Sequence, residues 1–151
     1  MPSEATNEAT RREWRELGFF YDRDDAAREW RIHGSREGLS QFAAELERYA
    51  AKPMNAEISE HDHLGPYMYL KIGTWHGPQL DENWIAGPLP ALAGLATEVR
   101  GWLPNAQVGQ SYSLRSLFAP AAPYDLILKV EPESFDPARA DAGCWCERSG
   151  R

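Results

Sequence analysis

Ser59-Glu-His-Asp-His-Leu-Gly-Pro-Tyr-Met-Tyr-Leu-Lys-Ile-Gly-Thr-Trp75 divides at a Gly-Pro break. Ahead of the break lies a polar cluster, Glu60, His61, Asp62 and His63. Behind it, Tyr67 to Ile72 alternates as a strand does, with Met68, Leu70 and Ile72 on one face and Tyr67, Tyr69 and Lys71 on the other. Apolar and aromatic β-formers on both sides predict a central strand, both faces at least partly covered. The polar cluster reads as a loop leading into it. The function of the chain turns on whether that cluster is a metal site, a catalytic site, a docking surface or ordinary connection.

Upstream, Phe19, Phe20 and Tyr21 favour a strand. Arg23 to Ala27 reads as a turn, and Arg28 to His33 as a second strand with Trp30 and Ile32 on one face, so a hairpin is expected. Ser35 is a good helix N-cap with Glu37 in the first turn. Leu39, Phe42, Ala43, Leu46, Tyr49 and Ala50 then recur at helical spacing until Pro53. Downstream of the central strand, residues 73–87 form a long irregular segment in which Trp84 and Ile85 suit a short edge strand. Pro88 and Pro90 open a second helix with Leu92, Leu95, Ala96, Val99, Trp102 and Leu103 on its stripe. Ser111 to Arg115 and Tyr124 to Glu131 read as strands, the latter with Tyr124, Leu126, Leu128 and Val130 on one face.

The order β-β-α-β-(β)-α-β-β predicts an α/β (α+β) fold: a mostly antiparallel sheet of about five strands with two helices packed on one face, the cheapest way to bury both stripes. A short parallel element is the alternative, because the first helix links two strands as a crossover would. Residues 1–13 are expected to be a flexible N-terminus with at most a turn or two of helix over Glu8 to Arg15. Residues 14–135 form a single domain, and 136–151 a loose tail.

A chain of 151 residues buries enough surface to need no metal or disulfide staple. No apolar run is long enough to span a membrane, and the first residues lack a basic start and an apolar core, so the expected location is cytoplasmic. Net charge is −7, which disfavours direct nucleic-acid contact and favours a basic protein partner. The excess is concentrated: Glu57, Glu60, Asp62, Asp81 and Glu82 face a single base, Lys71, between Pro53 and Gly87. The two cysteines, Cys144 and Cys146, are one residue apart. That spacing strains an internal disulfide, and two thiols are half a structural zinc site, so they read as incidental thiols on a tail.

His61 and His63, two apart, would face the same way on an extended chain. With His33, His76 or Glu60 as a third ligand they could hold zinc. No HExxH or CxxC supports a metal centre, and no nucleophile elbow, phosphate loop or dinucleotide fingerprint supports an enzyme. No cofactor is therefore expected. Six tryptophans are many for this length. Trp30 and Trp102 fall on core stripes, whereas Trp75 and Trp84 flank the acidic segment, an interface composition.

Three runs carry a family resemblance: Arg31-Ile-His-Gly-Ser-Arg-Glu-Gly-Leu, then Glu60-His-Asp-His-Leu-Gly-Pro-Tyr-Met-Tyr-Leu-Lys-Ile, then Phe118-Ala-Pro and Tyr124-Asp-Leu-Ile-Leu-Lys-Val. Over residues 28–137 the chain resembles the group numbered thirty-two among the immunity proteins of bacterial polymorphic toxin systems. The resemblance implies a cytoplasmic, non-enzymatic protein that binds and blocks a cognate secreted toxin domain. The acidic surface suits a toxin with a basic cleft, and its contact residues are expected to be Glu57, Glu60, His61, Asp62, His63, Trp75, Asp81, Glu82 and Trp84. The alternatives are a metal-dependent enzyme or metal-binding protein using Glu60 to His63, and a homo-oligomeric structural protein pairing through an edge strand.

Overall fold

The computed structural model describes residues 3–141, so Cys144, Cys146 and the expected tail beyond Asp141 lie outside the described residues. The first part of that tail is not loose, because Asp136 caps a short helix over Pro137–Ala140 and Asp141 accepts from Trp14. Residues 4–17, expected to begin frayed, instead form a full helix, α1 (Glu4–Leu17), with Ser3 accepting from the Thr6 N–H as its N-cap. The helix is fixed at its far end. Trp14 is fully buried, its ring 4.9 Å from Phe20, and its indole N–H donates to Asp141 at 2.9 Å. Gly18 ends α1 in the left-handed region at φ +90°, a conformation glycine adopts without a Cβ penalty.

The expected hairpin follows as β1 (Phe20–Asp24) and β2 (Glu29–Gly34), pairing antiparallel with Tyr21 opposite Ile32. Ser35 caps α2 (Arg36–Ala50), accepting from the Gly38 N–H at 3.1 Å, and the stripe from Leu39 to Tyr49 is buried as its spacing predicts. After a 3-10 turn over Pro53–Ala56 come β3 (His61–Leu64) and β4 (Leu70–Gly73), antiparallel to each other. The irregular segment contains β5 (Gln79–Leu80) and β6 (Ile85–Ala86). Next are α3 (Leu89–Trp102), β7 (Ser111–Ser113), α4 (Arg115–Phe118), β8 (Asp125–Val130) and α5 (Pro137–Ala140).

The class is mixed α/β, as the element pattern implies, but the single sheet of about five strands is two sheets of four. Their orders are β1-β2-β8-β7 and β3-β4-β6-β5. Each contains one parallel pair, β2 with β8 and β4 with β6. The cause is that α2 does not return the chain beside β2. It carries it into the second sheet, and β2 receives β8 as its neighbour instead. The Trp84–Ile85 segment is also corrected: β6 is internal, and the edge it was assigned belongs to β5.

One continuous core joins the sheets. Trp30, Ile32, Leu126 and Leu128 of the first meet Leu70, Ile72, Leu80 and Ile85 of the second through the stripes of α2 and α3. Hydrogen bonds cross between the sheets as well. Trp30 donates its indole N–H to the Asp81 carbonyl at 2.8 Å, Arg23 donates to the Glu82 carbonyl at 2.6 Å, and the Tyr124 N–H donates to the Leu80 carbonyl at 3.2 Å. Trp102, expected in the core, is half-buried and stacks on Tyr112 at 4.8 Å.

Candidate functional site

The polar cluster is a strand, not a loop. β3 is the edge of the second sheet, and its register sets His61 opposite Gly73, Asp62 opposite Ile72, His63 opposite Lys71 and Leu64 opposite Leu70. Alternation then divides the cluster. His61 and His63 share the outer face with Lys71, their rings 5.2 Å apart. Asp62 alternates to the other face, beside a cleft of about 240 Å³ bounded by Glu45, Arg48, Tyr49 and Lys52 of the α2 flank and bordered by His63 as well. Glu60 follows Asp62. Burial raises the Tyr49 hydroxyl above its ordinary pKa, and the nearby carboxylates of Asp62 and Glu60 add to the rise.

The strand expected over Tyr67 to Ile72 is shorter than its composition implies. Pro66–Met68 is a 3-10 turn, and pairing begins at Leu70. Tyr67 and Met68 hold φ of 66° and 59°, and Ser59 on the other side of β3 holds 76°. Left-handed backbone at non-glycine residues costs about 1–3 kcal/mol each and persists only where surroundings over-determine it. Here the Tyr67 hydroxyl is anchored on Asp141 at 2.6 Å. The turn leaves Met68 59% and Tyr69 38% exposed beside the histidines.

Gly73 makes room for Trp84. A Cβ on Gly73 would lie 2.3 Å from the indole ring, so the tryptophan occupies the space a side chain there would fill. Trp75 packs against Trp84 at 5.7 Å, His76 against Trp75 at 5.1 Å, and the Lys71 ammonium lies 5.8 Å from the centre of the Trp84 ring, within cation–π range. His61, His63, Lys71, Trp84, Trp75 and His76 thus line the outer side of this sheet. Lys71, Gly73 and His76 were absent from the expected contact set. The alternation of β4 already put Lys71 on the outer face, but nothing local reveals that Gly73 is a slot.

The acids are placed differently from one another. Glu57, Glu60, Asp62 and Glu82 are exposed and, among the described residues, carry no salt bridge. Asp81 is half-buried, and its carboxylate accepts from the Asn83 and Trp84 N–H groups at 2.8 and 3.3 Å. It shapes the turn that delivers Trp84. The structure therefore brings Trp75, Trp84, His61 and His63 together, puts Glu60 and Asp62 on the adjoining flank, and gives Asp81 a local structural duty.

A buried polar knot ties this region to α2. The Tyr49 hydroxyl donates to the Glu60 carbonyl at 2.8 Å and contacts Thr74 Oγ1 at 2.6 Å, Thr74 donates to the Asn55 carbonyl, and Asn55 donates to the Tyr49 carbonyl at 2.9 Å. Thr74→Val keeps the shape but strands these partners. It is expected to cost about 1–3 kcal/mol, read as a lower urea midpoint with an unchanged m-value.

Among the described residues no group of three His, Cys, Asp or Glu side chains is placed to hold a metal ion. His33, one candidate third ligand, lies in the other sheet between Asp22 and Glu131, at 3.5 and 3.7 Å. A closed three-ligand centre is therefore not formed there.

Fold and surface together define a small mixed α/β protein with an exposed, tryptophan-centred patch. Residues 29–83 match the family model described as Immunity protein 32, and that match supports an immunity-protein role. The matched stretch, a little over a third of the chain, runs from β2 through Asn83. It includes both histidines and Trp75 and stops one residue before Trp84. It is narrower than the 28–137 span of the resemblance: the runs at Phe118 and Tyr124 fall outside it. Neither the curated proteins nor the solved structures yield a match.

Proposed function

We propose that the chain is an immunity protein that neutralises a toxin by direct binding in the cytoplasm, and that the toxin meets the outer face of the second sheet and its acidic flank. The observation that carries this reading is the Trp75–Trp84 pair. Two large aromatic side chains are held half-exposed against each other, Trp84 over Gly73, on a sheet flanked by carboxylates that carry no salt bridge among the described residues. Half-exposed tryptophan is costly to leave in water and is the residue type that dominates binding energy once a partner covers it. Uncompensated carboxylates beside it steer a basic partner and raise the association rate. The toxin's basic cleft would be filled and its active site occluded. Glu57, Glu60, His61, Asp62, His63, Glu82 and the two tryptophans make the contact, with Asp81 positioning Trp84.

The test uses the C-terminal domain of a secreted protein encoded beside this chain, purified in an inactive form. Trp75→Ala with Trp84→Ala is expected to weaken binding by about 2 kcal/mol or more, roughly 30-fold, mostly through dissociation. Glu60→Lys with Asp62→Lys is expected to slow association and flatten its salt dependence. Glu16, Glu37 and Glu133 rim a separate cleft of about 380 Å³ between α1, α2 and the segment before α5. Glu16→Lys with Glu37→Lys is the control. If that pair weakens binding while both variants in the second sheet leave it unchanged, the face is wrong.

A further inference from the structure

We infer that His61 and His63 form a two-point binding site for a divalent transition-metal ion of the Zn²⁺ or Ni²⁺ class, open to solvent on the outer face of the second sheet. This goes beyond the immunity reading and does not depend on it, since the isolated chain suffices to bind.

One nitrogen of each ring is held by a backbone carbonyl. The His61 Nδ1–H donates to the Ser59 carbonyl at 3.0 Å, and the His63 Nδ1–H donates to the Met68 carbonyl at 2.9 Å. A carbonyl can only accept, so in each neutral ring the proton sits on Nδ1 and the Nε2 lone pair is left available. Histidines that ligate metals are held in this way, by a backbone carbonyl or carboxylate on the nitrogen that does not bind. The two carbonyls come from the two left-handed backbone sites around β3, Ser59 and Met68, so the strained residues are also the ones that aim the rings.

Spacing agrees. Residues two apart on a strand project from the same face, and the register confirms it by pairing both histidines with outer-face positions of β4. A tetrahedral ion about 2.0–2.1 Å from each Nε2 places the two ring centroids roughly 5 Å apart; they lie 5.2 Å apart. The interplanar angle of 89° is no obstacle, because coordination through Nε2 imposes no fixed angle between the two ring planes. Lys71, across from His63, is an unfavourable charge, but its ammonium is drawn over Trp84. Arg48 and Lys52 border the cleft that His63 also lines, and Arg48 is paired with Glu45. Glu60 and Asp62, on either side of His61 in the chain, give the strand a negative background. Two imidazoles select Zn²⁺, Ni²⁺ or Cu²⁺ over Mg²⁺ and Ca²⁺, which prefer oxygen. The remaining coordination positions take water.

The experiment is calorimetric titration of Zn²⁺ and Ni²⁺ into the untagged, chelator-treated full chain carrying Cys144→Ser and Cys146→Ser, which removes the two thiols as competing ligands. One ion per chain is expected, with His61→Gln and His63→Gln each weakening binding by roughly 10-fold or more, at least the effect of losing an outer-shell partner. Both side chains are exposed, so neither variant threatens the fold. His33→Gln and His76→Gln are expected to bind as the parent does. Histidine-ring NMR adds a second readout: on Zn²⁺ addition the Nε2 resonances of His61 and His63 move while their Nδ1 protons persist. No binding at millimolar metal overturns the assignment. So does binding that survives both single variants, or that is lost with His76→Gln or His33→Gln.

Discussion

Trp30→Ala is expected to destabilise the protein by about 3–5 kcal/mol, the range for emptying a large aromatic site in a packed core. Trp30 is fully buried in β2 and does more than fill volume. The Arg23 guanidinium lies 5.7 Å from its ring centre, Tyr21 packs at 6.4 Å, and its indole N–H reaches Asp81 in the other sheet. Alanine removes the ring and leaves the Asp81 carbonyl without that donor, so the cavity and the unmade bond add. A domain stable by about 5–15 kcal/mol becomes marginal under such a loss. Trp30→Phe separates the two contributions: most of the volume is kept, and about 1–3 kcal/mol is expected for the bond alone. Urea unfolding of the three proteins is the measurement. Equal losses for both variants would mean that the inter-sheet hydrogen bond, not packing, carries the contribution of Trp30; a negligible loss for Trp30→Phe would mean the reverse.

Gly38→Ala reverses the ordinary expectation for a helix. Alanine is the better helix former by about 1 kcal/mol, so propensity alone predicts a gain. Gly38 lies in the first turn of α2, where an added Cβ would fall 2.3 Å from the Gly18 carbonyl oxygen. That oxygen is backbone, fixed by the left-handed cap of α1, and cannot swing aside. Either α2 lifts from the α1–β1 junction or the cap breaks, and a loss of about 3 kcal/mol is expected, at the upper end of overpacking costs. Gly94→Ala is the matched control. It lies in α3 with nothing within 4 Å of an added Cβ, and it is expected to stabilise by about 0.4–1 kcal/mol. Thermal or urea unfolding should give the two substitutions opposite signs.

Much of the architecture could be read from residue order because its signals are local. Ser35 with its helical stripe, the two prolines opening α3 and the alternation of Leu126, Leu128 and Val130 are each decided within a few residues. The errors arise where pairing across the chain overrides local preference. Glu60 to His63 is polar, so it reads as a loop, yet an edge strand needs only one apolar anchor, and Leu64 supplies it. Tyr67 and Met68 are β-formers by composition but sit in left-handed backbone, pinned by Asp141 from more than seventy residues away. The split into two sheets is invisible locally, since nothing near β2 announces that β8 will be its neighbour.

The candidate surface follows the same rule. Trp75 and Trp84 stand out by residue type, but that they touch is a tertiary fact resting on Gly73. The division of Glu60 and Asp62 from His61 and His63 was available in principle: period two demands it once residues 61–64 are taken as a strand. Lys71 is a lone base among acids in the sequence, and only the register and the fold set it beside the Trp84 indole.

The ladder between β2 and β8 joins Glu29 to Asp125 and Gly34 to Val130. Such distant partners make folding slow relative to a helical domain of equal length, because a long loop must close before the contact forms. During synthesis, β2 emerges early and waits for the final strand of its sheet with one side unsatisfied, open to wrong partners until then. A newly made molecule completes this sheet only after β8 has left the ribosome. The lag between translation and a folded molecule is therefore set by sheet topology as well as by expression.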